Sequence, residues 1–134
     1  MKFRLTCICA VLMFALQAPC TYAQQPEQPD IYEQIENEAD RLQRILDLED
    51  WQVFYVDSTL KHDFPAMQAE LMKLSEAKVA NRDMYVQVQD RWMEQIDATY
   101  KKFFSEEQWA AYLKQGAAKA QKAREKRRLK AQGK

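Results

Sequence analysis

The sequence predicts an all-α fold: four helices in antiparallel hairpins, the second long and kinked near Pro65, followed by a basic helical tail. Three observations lead there. Apolar residues recur at steps of three and four through most of residues 30–113, the period of a half-buried helix. Only two glycines and four prolines occur in 134 residues, too few turn-formers for a sandwich, a barrel or a Gly-rich nucleotide-binding fold. Helix-start residues stand ahead of the periodic segments, as Asp30, as Asn81 or Asp83, and as Ser105.

The chain begins with a targeting pattern. Lys2 and Arg4 precede an apolar run from Leu5 to Leu16, and Thr21-Tyr22-Ala23 closes the segment. That order describes a secretory signal peptide over residues 1–23, cleaved after Ala23, with the mature protein in the periplasm or secreted. The run is too short for a retained spanning helix, which needs about 20 residues. Pro19 beside Cys20 is unsuited to lipid attachment. Cleavage removes Cys7, Cys9 and Cys20, the only cysteines, so the mature chain has no thiol for a disulfide, a metal or a nucleophile. Residues 24–29 form a polar, Pro-containing flexible lead.

A helical domain is expected over residues 30–116. Helix 1 covers 30–46, with Asp30 and Glu33 at capping-box spacing and Ile31, Ile35, Ala39, Leu42 and Leu46 on one face. Helix 2 covers 49–76, with a seam of Val53, Val56, Leu60, Phe64, Met67, Leu71 and Leu74 that keeps its phase across Pro65. A proline inside a helix removes a backbone donor and crowds the preceding turn, which predicts one helix bent near 61–65. Helix 3 carries Tyr85, Val88, Trp92, Ile96, Tyr100 and Phe103. Ser105 and Gln108 open helix 4, which holds Trp109, Tyr112 and Leu113 and continues into a tail, residues 117–134, that is helical by propensity with little to bury.

Overall neutrality conceals a polarity. Residues 24–113 carry nine bases and nineteen acids; residues 114–134 carry nine bases and one acid. Lys122, Arg124, Lys126, Arg127 and Arg128 are candidate contacts to an anionic membrane surface. The competing expectations are a solvated tail, or one paired with the acidic start of helix 1. Export excludes nucleic acid as a partner.

Little in the sequence suggests a reaction. The single histidine, His62, has Ser58 and Ala66 one turn away on either side, neither suited to zinc. No hydrolytic triad, phosphate loop or paired metal motif is present. The expectation is a non-enzyme with no cofactor and no metal. The aromatic residues are more informative. Trp51 and Tyr55 lie one turn apart, off the Val53–Leu60 seam, and with Trp109 and Tyr112 they are candidates for a partner-binding surface. The simpler reading makes these rings the core between helices. Met67, Met72, Met84 and Met93 could line an adaptable groove or be plain filler.

Two segments repeat one pattern. Leu48-Glu49-Asp50-Trp51-Gln52 opens helix 2, and Phe104-Ser105-Glu106-Glu107-Gln108 opens helix 4. The motif residues Leu48 and Gln52, then Phe104, Ser105 and Gln108, resemble the repeated Leu-Thr-x-x-Gln motif of the periplasmic family that includes Spy and CpxP. Glu49 stands where that family has threonine, and Phe104 where it has leucine. The resemblance covers roughly residues 30–115 and implies a small exported helical protein forming a curved dimeric cradle. It implies an unfolded client protein, or another envelope protein, as partner. The acidic body departs from the basic cradle of such chaperones. The function expected from the whole sequence is non-enzymatic partner binding in the cell envelope, as a chaperone or stress adaptor; the alternative is an interaction module docking on one dedicated envelope partner.

Overall fold

The computed structural model describes residues 30–133, so the signal-peptide and lead expectations, residues 1–29, lie outside the described residues. Within them the chain is 88% helical and has no strand. The elements are α1 (Ile31–Leu46), α2 (Asp50–Glu76), α3 (Arg82–Phe103), α4 (Glu106–Tyr112), a π-helical turn (Leu113–Ala117) and α5 (Ala118–Gln132). The all-α expectation holds.

Helix α1 buries Ile35, Ala39, Leu42 and Leu46, the face its periodicity marks. It stops where Asp47 takes a left-handed backbone conformation and the Leu48 N–H returns to the Gln43 carbonyl at 3.2 Å, an arrangement that satisfies carbonyls the helix end would leave open. Helix α2 runs through Pro65 without interruption. Its buried stripe is Gln52, Val56, Leu60 and Asp63, so two polar side chains share the face with the apolar ones. Past Asp63 no α2 side chain is buried; Phe64, Met67, Leu71 and Leu74 are half-buried. Length explains this. At 1.5 Å per residue, the 16 residues of α1 span about 24 Å and the 27 of α2 about 40 Å. Helices α1 and α3 both pack against α2. Beyond the reach of α1, only α3 covers the seam.

Asn81 caps α3, its Oδ1 accepting from the Asp83 N–H at 3.0 Å. Helix α3 buries Val88, Ile96, Asp97 and Tyr100, while Tyr85, Trp92 and Phe103 are half-buried. The indole of Trp92 donates to Glu70 at 2.9 Å, and Arg91 grips the same carboxylate, so α2 and α3 are also tied by a polar strut. The core joins Ile35, Leu42, Leu46, Leu48, Val56, Leu60, Ile96, Tyr100, Phe104 and Tyr112.

The fourth helical stretch is divided. Gly116 has φ 112° within the π turn, a backbone region that suits glycine, and α5 leaves α4 there. In an unbroken α-helix, Arg124 would lie about 120° around the axis from Tyr112. The extra residue taken up by the π turn and the turn at Gly116 bring both side chains to Asp97 of α3. Among the described residues no ion pair joins the tail to helix 1, although that pairing is one of the competing expectations. The tail lies on α3 through Arg124 to Asp97 and through Arg127 to Asp90 at 2.6 and 2.7 Å.

Candidate functional site

The two motif copies meet. At the start of α4, Ser105 Oγ accepts the Gln108 N–H at 3.1 Å while Gln108 Oε1 accepts the Ser105 N–H at 2.9 Å. This is a capping box, which satisfies backbone donors that a helix start leaves open. At the start of α2, Gln52 Oε1 likewise accepts the Glu49 N–H at 3.0 Å. The two glutamines then bond each other: Gln52 Nε2 donates to Gln108 Oε1 at 2.7 Å, and Gln108 Nε2 donates to Gln52 Oε1 at 3.0 Å. Each amide also reaches across, Gln52 to the Phe103 carbonyl at 2.9 Å and Gln108 to the Asp47 carbonyl at 3.4 Å. Each of these carbonyls lies five residues before the opposite glutamine, so the arrangement has a local two-fold character. Leu48 and Phe104 are buried in the common core, and Ser105 is exposed.

The candidate aromatic set divides. Trp51 and Tyr55 are 48% and 52% exposed, and Phe54, between them on the same side of α2, is 66% exposed. Their rings meet edge to face at 6.1 and 5.8 Å between centroids, and Tyr55 rests on Phe103 at 5.7 Å. Glu49 fixes the indole by accepting from Trp51 Nε1 at 2.7 Å. This is a contiguous aromatic patch rather than scattered apolar residues, the arrangement that marks interaction surfaces. Tyr112 lies in the core instead, and Trp109 is half-buried against it at 5.4 Å with Lys101 Nζ 5.8 Å from its ring centre. Those two do not join Trp51 and Tyr55 in one surface. The core reading of the rings thus holds for Tyr100, Phe104 and Tyr112 but not for the patch on α2.

Beneath α5 lies a buried polar cluster that apolar periodicity could not reveal. Asp97 and Arg124 are 7% and 6% exposed. Asp97 accepts from the Tyr112 hydroxyl at 2.7 Å, from Gln121 Nε2 at 3.0 Å and from Arg124. Burial, then the hydrogen bond to Asp97, pushes the Tyr112 phenol well above its ordinary range, and burial first does the same to Tyr100. Arg124 Nε is buried without a hydrogen-bond partner among the described residues. Asp97 and Arg124 separate two open clefts of about 170 and 520 Å3. A second buried carboxylate, Asp63, accepts from Gln95 at 3.2 Å and meets His62 Nδ1 at 2.7 Å, with His62 itself largely exposed.

Of the five candidate surface bases, Arg124 is a correction: it is buried against Asp97, because a desolvated guanidinium needs a counter-charge. Arg127 is half-exposed but engaged by Asp90, and Arg128 bonds Glu125 within α5. Lys122 and Lys126 remain exposed. Among the described residues no group of three or more His, Cys, Asp or Glu side chains could hold a metal ion, and no helix is long and apolar enough to cross a membrane. Compared with protein-family models, curated proteins and solved structures, the chain matches none.

Proposed function

We propose that the chain is an exported, non-enzymatic helical protein that binds partner proteins in the cell envelope, as a Spy/CpxP-like chaperone or stress adaptor. The observation that carries the reading is the exposed Trp51–Phe54–Tyr55 patch on α2, braced from below by Phe103. Clustered rings offer large apolar contact area at low conformational cost. The reading includes a signal peptide cleaved after Ala23 and release into the periplasm. It includes antiparallel pairing of α1 with α2 and of α2 with α3, a bend near Pro65, and a homodimer that doubles the aromatic surface. Membership of the Leu-Thr-x-x-Gln family is supported by the reciprocal Gln52–Gln108 pairing of the two motif copies. The tail adds a contact to an anionic membrane surface, and nucleic acid is not a partner.

A chaperone of this kind suppresses aggregation of several unrelated unfolded proteins without ATP. Trp51→Ala, Phe54→Ala and Tyr55→Ala together should abolish that suppression while the thermal melt stays within a few degrees of the parent. Unchanged suppression by the triple variant would reject the patch as the binding surface. The second reading, a module for one dedicated partner, draws on the fixed indole of Trp51, since a rigid ring suits one complementary pocket. It requires that unrelated clients be ignored and that one envelope protein be retained by the parent and lost by the triple variant. Mass measurement of the exported protein tests the Gln24 N-terminus.

A further inference from the structure

Helix α5 carries its lysines on one side and the bases that reach the body on another. The two that reach the body are arginines, Arg124 on Asp97 and Arg127 on Asp90. Turning at about 100° per residue, Lys119, Lys122, Lys126 and Lys130 fall within an arc of about 80° on the side away from Arg124. All four are exposed, and among the described residues no ion pair engages any of them. The one acid of α5, Glu125, lies outside the arc and is held by Arg128. Lys122, at the edge of the arc, borders the larger cleft together with Glu94 and Glu125.

Such a stripe works against the helix that carries it. Lys122–Lys126 and Lys126–Lys130 are like-charge pairs at i, i+4, which destabilise a helix. An external anion relieves that repulsion.

We infer that Lys119, Lys122, Lys126 and Lys130 form a docking face for the headgroups of an anionic phospholipid bilayer, held outward by the Arg124–Asp97 and Arg127–Asp90 pairs. This deepens, and rests on, the tail contact proposed above, and it moves that contact from the arginines to the lysines. Charge complementarity names the partner. The arginines neutralise α3 carboxylates directly under the helix, so an otherwise acidic body can approach a negative surface. Lysine clusters on a helix suit a field of headgroups that need no fixed geometry. Leu129, exposed on the lysine side of α5, can reach the acyl boundary. Nucleic acid fits less well: the planar arginine forks that clasp phosphate are occupied, and residues 114–134 contain no aromatic ring to stack on a base.

The test uses the full mature chain and vesicles of equimolar phosphatidylglycerol and phosphatidylcholine, with phosphatidylcholine alone as reference. Each lysine near an anionic surface strengthens partition about fivefold. The Lys119→Gln, Lys122→Gln, Lys126→Gln, Lys130→Gln variant should therefore bind several hundredfold more weakly than the parent. A variant losing four other exposed bases (Arg44, Lys73, Lys101 and Lys102, each to Gln) should bind within a few-fold of the parent, with helical circular dichroism unchanged in both. Binding should collapse towards 1 M salt, where screening acts within about 3 Å. Equal binding by parent and lysine-stripe variant overturns the stripe but leaves the tail contact standing. No binding of the parent to anionic vesicles overturns both. Parent protein that binds duplex DNA more tightly than these vesicles overturns the choice of lipid.

Discussion

Gln52 and Gln108, 56 residues apart in the chain, exchange hydrogen bonds through both side-chain amides while each also receives the N–H of its own helix start. The pair fastens the starts of α2 and α4 to each other and to the chain ends of α1 and α3, whose Asp47 and Phe103 carbonyls it also engages. Neither helix start is positioned independently.

Gln52→Ala should therefore cost about 1–3 kcal/mol, because it leaves the Glu49 N–H, the Phe103 carbonyl and half of Gln108 unpaired in a partly buried site. Gln108→Ala should cost a similar amount. The double variant should cost clearly less than the two summed, since the second loss removes a group already without its partner. Denaturant melts of the four proteins measure this, and simple additivity would reject the coupling.

That pair also shows how the sequence was and was not legible. Spacing located both motif copies, and apolar periodicity located α1 through α4 to within a residue or two at most ends. Spacing could not show that the copies touch, because two capping boxes on separate helices carry no signal about each other. Gln52, Asp63 and Asp97 lie on buried faces yet are polar, so a pattern built from apolar residues passes over them. The position of the tail was not legible for a related reason. Charge totals allowed a solvated tail, one paired with helix 1 or one on an anionic surface; the π turn at Gly116 sets which way α5 faces, and one glycine among polar residues does not announce that. The aromatic patch was half legible: Trp51 and Tyr55 were marked by their side of the helix, whereas Tyr112 turned inward to Asp97.

The helix 2 seam should be uneven in energy. Leu60 is fully buried and Leu71 half-buried, so Leu60→Ala should cost about 2–5 kcal/mol and Leu71→Ala less than half as much. His62→Ala should cost under about 1 kcal/mol, since the exposed imidazole adds only one of the contacts made to Asp63. Equal losses at Leu60 and Leu71 would mean that the far half of α2 is covered in solution, which the proposed homodimer would explain and size measurement would decide.

Gly116→Ala isolates the role of the turn. A methyl group there meets no atom within 4 Å, so any penalty comes from the backbone at φ 112°. That penalty should be about 1–3 kcal/mol. Should the stretch relieve it by becoming regular helix, Arg124 swings away from Asp97. Hydrogen exchange should then show α5 amides losing protection while those of α1 and α2 keep theirs. Unchanged exchange in α5 together with an unchanged melt would reject the account of the turn.

High pH should probe the cluster under α5. Tyr100 and Tyr112 are both held protonated by burial, Tyr112 also by its hydrogen bond to Asp97. In the unfolded chain a tyrosine ionises near 10.0; in the folded protein these two ionise well above that. Below pH 10 both states hold the protons and stability owes nothing to pH through these groups. Above it the unfolded state binds fewer protons than the folded one, so stability falls as pH rises, by about 1.4 kcal/mol per pH unit for each tyrosine. Other groups change charge in this window too, so the measurement is a difference: Tyr112→Phe should lose less stability than the parent, by about 1 kcal/mol, between pH 10 and 11. The folded parent should also show less phenolate absorbance than the unfolded chain, by about one tyrosine at pH 10 and close to two by pH 11. Parallel slopes for parent and Tyr112→Phe, with as much phenolate absorbance in the folded protein as in the unfolded chain, would mean that Tyr112 is open to water and that α5 does not close over Asp97.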